Sequence, residues 1–170
     1  MSEFKAVESL LDGHPDVAEF AVFRTGTRSV AAVTPVLHCN AVDIRDDLWE
    51  SVPAEELPDL VVVLPELPRD AEGRVLAERI DAGTLEDSGA CGFTPPREPT
   101  EIALAEIWSE VLGRRRVAAD DNFLDLGGDS MTATLLLDST NERFGVSLSF
   151  DELLSLPSLR AVAEVVDKQS

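Results

Sequence analysis

The chain has 170 residues, 44% of them apolar, with 33 acidic against 14 basic side chains and a formal net charge of −19. That length allows one ordinary domain or two small ones, and the composition permits packed cores and excludes global disorder. The charge is shared, with 19 acidic and 7 basic side chains in residues 1–94 and 14 and 7 in residues 95–170, which disfavours nucleic acid and anionic membrane and favours basic docking faces.

The first half reads as mixed α+β. Phe4 to Leu11 suits a short helix. Val17 to Phe23 and Val30 to Leu37 are apolar, β-branched runs parted by the turn-like Arg24-Thr-Gly-Thr27. A helix is predicted over Ala41 to Ser51 and a buried strand over Leu60 to Leu64. Together these give a small sheet with helices.

A seam follows at Ser88-Gly-Ala-Cys-Gly-Phe-Thr-Pro-Pro-Arg-Glu-Pro99, where two glycines and three prolines suppress regular structure. The predicted division is residues 1–88, a linker over 89–98, and a second domain over 99–170.

The second half reads as four helices. Thr100 is the predicted N-cap of the first, with Glu101 in its first turn and Leu104, Ala105, Trp108, Val111 and Leu112 at helical spacing. Gly113 ends it, and Arg114, Arg115 and Arg116 are expected to form a solvated basic loop, with a docking feature as the alternative. A second helix is predicted from Ser130 to Phe144, stopped by Gly145. Val146 to Leu148 reads as extended and Phe150 to Leu154 as a short helix. Pro157 is predicted to open a last helix carrying Leu159, Val162, Ala163 and Val166 on one face.

The most informative run is Asp121-Asn-Phe-Leu-Asp-Leu-Gly-Gly-Asp-Ser130-Met-Thr-Ala133. It sets one serine after a glycine pair at the head of a helix, where free N–H groups and the dipole favour a phosphate. A serine nucleophile needs a positioned base, yet His14 and His38 both lie in the other half. The hydrolase pattern Gly-x-Ser-x-Gly fails at Thr132, and the aspartates from Asp120 to Asp129 lack calcium-loop spacing. Cys39 and Cys91 make neither a disulfide framework nor a metal-ligand pattern. With no charged-then-apolar leader and no apolar run of spanning length, a reduced, cytoplasmic setting is expected.

The serine run resembles the prosthetic-group site of peptidyl carrier proteins, the thiolation domains of nonribosomal peptide synthetases. Leu104–Leu112, Arg143-Phe-Gly-Val146 and Leu156-Pro-Ser-Leu159 follow the family's order across residues 99–168. The resemblance implies a four-helix carrier bundle in which Ser130 bears 4′-phosphopantetheine from coenzyme A. Gly128 and Asp129 would shape the site, and Met131 would stand where partner enzymes touch. It also implies a phosphopantetheinyl transferase using Mg2+, an adenylating enzyme acting in trans, a downstream condensation or tailoring enzyme, and a non-catalytic, monomeric carrier of an aminoacyl or acyl group. An acyl carrier of a polyketide or hybrid pathway, with the first half as an interaction platform, is the near variant; the double glycine leans toward the peptide type.

The string Val52-Pro-Ala-Glu-Glu-Leu-Pro58, Val61-Val-Val-Leu64, Leu67-Pro68 and Gly73-Arg-Val75, with His14-Pro-Asp-Val17, resembles the C-terminal subdomain of adenylation domains over about residues 4–80. The family's catalytic lysine falls where this chain has Arg74, and arginine does not replace a catalytic ammonium. The large nucleotide-binding core is absent from these residues, so adenylation is not expected. A fragment of a larger adenylation–thiolation synthetase is the rival reading, against which Arg74 argues. Glu55 and Glu56 replace a tyrosine and a methionine of the pattern and are expected to face water or a partner, since carboxylates are costly to bury. His14 is expected to be structural.

Overall fold

A computed structural model describes residues 3–170, which form two compact units, one running to Phe93 and the other from Thr94 onward. The first unit is built on a four-stranded sheet of order β1-β2-β3-β4: β1 (Val17–Thr25), β2 (Arg28–Pro35), β3 (Leu60–Val63) and β4 (Cys91–Gly92). β1 and β2 form an antiparallel hairpin closed at Thr25↔Arg28, where Gly26 takes a left-handed φ of 61°. β2 runs parallel to β3, and β3 antiparallel to β4. Successive β2 side chains point to opposite faces. Ala31 and Val33 therefore join one core with helices α1 (Lys5–Asp12) and α2 (Ala41–Ser51). Val30 and Ala32 join another with Leu64, Leu67, Ile80 and Leu85 of the segment that follows β3. Leu85 belongs to a short helix, α3 (Ala82–Asp87), capped by the Asp81 carboxylate.

α2 begins where Asn40 accepts a bond from the Val42 N–H (2.9 Å). Its buried face carries a charged pair: Arg45 is 0% exposed and Asp46 2%. Arg45 donates through Nε and Nη2 to Asp46 Oδ1 (3.2 and 3.0 Å) and through Nη1 to the Gly92 carbonyl (3.3 Å), its guanidinium lying 5.5 Å from the centre of the Trp49 ring. Trp49 in turn meets Phe93 edge-on at 5.8 Å. The seam is therefore not wholly irregular. Cys91 to Phe93 is held by a ladder, a buried cation and an aromatic edge, and it belongs to the first unit. His14 is structural in geometry: Nε2 sits 2.9 Å from Asp47 Oδ2, joining the end of α1 to α2, while Nδ1 accepts from the Asp16 N–H. Neither cysteine is in a disulfide, and burial, then Asp16 and Asp43, push the Cys39 thiol up from its ordinary value.

The second unit is all-α: α4 (Pro99–Leu112), α5 (Ser130–Phe144), α6 (Phe150–Ser155) and α7 (Leu159–Gln169). The expected four-helix carrier bundle is present, with two starts displaced. Thr100 is not the cap of α4. Glu98 is, with Pro99 at the first helical position and a reciprocal box to Glu101, while the Thr100 hydroxyl bonds Asp167. Proline suits that position because its missing N–H has no partner to lose there. Likewise Pro157 lies outside α7, whose cap is Ser158. Val146 to Leu148 forms no strand. Instead the Asn141 side chain bonds both the N–H and the carbonyl of Leu148 (2.8 and 3.1 Å), stapling that loop to α5. The core gathers Leu104, Ile107 and Trp108 of α4, Leu136 of α5, Leu153 of α6, and Leu159, Val162 and Val166 of α7.

Candidate functional site

Between α4 and α5 runs the long connection that carries the serine motif, and it is anchored throughout. Leu159 N–H donates to the Asp121 carbonyl and Arg160 N–H to that of Ala119, both at 2.9 Å. The Arg160 guanidinium bridges Asp120 (2.9 Å) and Glu101 (3.3 Å). Burial opposes the ionised form of Glu101. The Arg97 and Glu98 N–H groups and Arg160 outweigh it and hold the carboxyl below its ordinary value. Arg114, at the start of the basic loop, donates through Nε to the Leu126 carbonyl (3.1 Å).

The segment just before the serine is one helical turn with both ends closed. Asn122 Oδ1 accepts from the Leu124 N–H (2.8 Å) at its start. At its end Gly127 N–H bonds the Leu124 carbonyl and Gly128 N–H the Phe123 carbonyl (both 3.1 Å), with Gly127 at φ 92°. That pair of bonds is the Schellman ending, which needs the left-handed residue glycine supplies. Gly128 is glycine for another reason. A Cβ there would lie 2.5 Å from Phe123 Cζ and 2.6 Å from Cδ1, inside the ring's van der Waals surface. Phe123 is buried and meets Trp108 edge-on, with ring centroids 5.9 Å apart and planes at 80°.

Asp129 then caps α5. Its Oδ1 accepts from the Thr132 N–H and Thr132 Oγ1 accepts from the Asp129 N–H, each at 2.8 Å, a reciprocal capping box. Bonds from the Thr132 N–H and hydroxyl hold the Asp129 carboxyl below its ordinary value. Asp129 places one negative charge at the α5 terminus and takes the Thr132 N–H, while its carbonyl accepts the first intrahelical bond, from the Ala133 N–H. Ser130 is the first residue of α5 and is exposed. Its unit, residues 94–170, contains no histidine, and its carbonyl accepts from Thr134 Oγ1 (2.9 Å). Among the described residues no cluster of three or more His, Cys, Asp or Glu side chains is placed to hold a metal ion.

Met131 is 75% exposed and Leu135, one turn on, 52%. In the first unit, Glu55 and Glu56 share a single 3-10 turn and yet differ. Glu55 is exposed, whereas Glu56 is half-buried and accepts the Ala6 N–H at Oε2 (2.8 Å). That amide lies in the first turn of α1, whose cap residue Phe4 offers no side-chain acceptor. Glu56 is thus a remote cap, and the expectation that both carboxylates face only water or a partner fails for it. Arg74 is 77% exposed and lies over its own turn, Nε 3.1 Å from Asp70 Oδ2 and Nη2 3.8 Å from Glu72. Reading by motif missed Thr132, Phe123 and Asn122. The spacing Asp129-x-x-Thr132 was a visible cap signal, whereas nothing local marks Phe123 as the partner of Gly128.

The C-terminal unit is thus four helices with an exposed serine opening the capped α5. Residues 103–166 match the family described as the phosphopantetheine attachment site, and the C-terminal unit belongs to it, in the form found in nonribosomal peptide synthetases. Its covalent prosthetic group is 4′-phosphopantetheine. The chain is similar to one protein of the linear gramicidin synthase of Brevibacillus parabrevis (31% identity over 95% of the chain and 2% of that protein). It is also similar to pyochelin synthetase PchE of Pseudomonas aeruginosa (34% over 83% of the chain and 10% of that protein). The chain thus spans only a small part of the curated relatives it matches. Among solved structures it is similar to a chain of the phosphopantetheine transferase Sfp in complex with coenzyme A and a peptidyl carrier protein. That match has 30% identity, 45% of this chain, 99% of that chain and a TM-score of 0.44. No helix among the described residues is long and apolar enough to cross a membrane.

Proposed function

We propose that Ser130 is the attachment point of the prosthetic group and that the chain carries an aminoacyl or acyl cargo, activated by an adenylating enzyme outside these 170 residues. The carrying observation is an exposed hydroxyl opening a capped helix, in a unit with no histidine to serve as its base. Such a serine is an acceptor, not a catalyst. Loading forms one phosphodiester: Ser130 Oγ displaces adenosine 3′,5′-bisphosphate from coenzyme A, its proton passing to a base of the transferase. When bound, the group supplies a thiol that holds cargo as a thioester for a condensation or tailoring enzyme. Asp129 and Thr132 fix the serine's backbone, Gly127 and Gly128 set its approach, and Met131 offers an apolar contact to the enzymes that visit it.

The first unit is, in this reading, a degenerate adenylation subdomain. The match to the gramicidin synthase runs through both units, which supports a common origin. Arg74, engaged by Asp70 and Glu72 where the family has its lysine, speaks against chemistry there. Exposed Glu55 is retained as a partner contact; Glu56, used inside the unit, is not.

The test is mass spectrometry of the full chain with coenzyme A and a broad-specificity phosphopantetheinyl transferase. One phosphopantetheine is expected on the unaltered chain and none on Ser130→Ala, whose circular dichroism should be unchanged. A mass gain on Ser130→Ala refutes the assignment. Amino-acid-dependent pyrophosphate exchange is expected to stay at background, for the chain and for Arg74→Lys alike.

A further inference from the structure

Ser130 is presented by a short chain of contacts that starts in the core of its unit. Trp108 of α4 is 1% exposed and sets its ring against the edge of Phe123. The Phe123 ring occupies the space that a side chain at residue 128 would take, so the Gly128 backbone rests on it. Gly128 is bonded to the Phe123 carbonyl, and two residues later comes Ser130. On its far side, the serine is fixed by the Asp129–Thr132 box. The backbone that carries the hydroxyl is therefore held from both directions, by a capped helix ahead and by an aromatic platform behind.

We infer that Phe123, backed by Trp108, is a positioning residue for the modification of Ser130: its ring sets the height and direction of the Gly128–Asp129–Ser130 backbone, and so the line along which the hydroxyl meets its phosphoryl donor. Resting on the reading of Ser130 given above, the inference adds which residues determine how well that serine reacts. Core packing alone does not require the arrangement. A buried phenylalanine can pack beside any backbone, whereas here the fit excludes even one methyl group on the glycine nearest the site. In-line displacement is sensitive to such placement, because reacting atoms must meet at near-attack geometry.

The experiment measures initial rates of phosphopantetheine addition to the full chain, with coenzyme A and a separate transferase, resolving kcat from KM for the carrier. Gly128→Ala pushes the backbone off the ring and is expected to lower kcat about tenfold or more, since an ångström of misplacement costs on the order of 10²-fold, with KM little changed. Phe123→Leu removes the platform and lowers kcat several-fold. The double variant, with room for the new methyl group, recovers to within about threefold of Phe123→Leu, the non-additivity expected of groups in direct contact. Leu153→Ala, a core truncation in α6, lowers stability without lowering kcat. Three results overturn the inference: Gly128→Ala loaded at the unaltered rate, a double variant as slow as Gly128→Ala, or an equal fall in kcat for Leu153→Ala. If Gly128→Ala does not fold, Phe123→Leu decides alone, and an unchanged kcat overturns the inference. Failure of the unaltered chain to be loaded at all counts against the reading of Ser130 instead.

Discussion

Glu55 and Glu56 stand side by side in one turn, and their replacement should have unequal consequences. Glu56 Oε2 takes the Ala6 N–H at 2.8 Å and is the side chain that caps the first turn of α1, because Phe4 supplies none. Removing a capping acceptor costs about 1 kcal/mol, within a range of roughly 0.5–2. The lost carboxylate near the α1 terminus falls within that range, since the site is only half-buried and the freed amide regains water. Exposed Glu55 makes no such bond, and its replacement by alanine should stay within about 0.5 kcal/mol. The two units need not unfold together, so the assay must report on the first alone. The chain has two tryptophans and no tyrosine, and Trp49 lies in the first unit. Urea titration of Trp49 fluorescence in a Trp108→Phe background reads that unit. With m of about 1–3 kcal/mol/M, Glu56→Ala should lower the midpoint by roughly 0.3–1 M, while Glu55→Ala leaves it in place. Equal shifts for the two variants, or none for Glu56→Ala, would refute the assignment of Glu56 as a cap.

The Asp129 carboxyl is held below its ordinary value by the Thr132 N–H and hydroxyl, so its native pKa lies under the unfolded value of about 3.9. Its contribution to stability is complete above that value and is lost as pH falls through the native pKa; NMR titration should show Asp129 protonating late, and earlier in Thr132→Val. Gly145→Ala should destabilise the second unit by about 1 kcal/mol or more in thermal unfolding. The cost is purely of backbone origin: φ is 66° and no atom lies within 4 Å of the added Cβ.

Legibility followed the range of the causes. The spans of α2 and α5 agree with those predicted, and for α5 the stop at Gly145 sits beside its apolar pattern. The hairpin β1–β2 was readable from two β-branched runs around one glycine. β4 was not: two residues in a seam of glycine and proline become a strand only because β3, Arg45 and Trp49 hold that stretch from far along the chain. α3 was missed for want of an apolar pattern in six residues, though Asp81 marked its start. In the site, the serine and the glycine pair could be read, whereas the Asp129–Thr132 box went unread and the ring beneath Gly128 is a tertiary fact. Glu56 was misjudged because its partner, Ala6, lies fifty residues away.

β4 also decides where the polypeptide can be cut. Severing after Ser88, where composition invites it, would strip the edge strand from β3 and expose ladder groups of the kind that recruit other chains into aggregates. It would take the Gly92 carbonyl from a guanidinium that has no exposure to water, and the Phe93 edge from Trp49. Severing after Phe93 leaves all three in place. A chimaera that grafts this carrier onto another first unit should therefore be joined at Thr94, with Cys91 to Phe93 travelling with the sheet they complete.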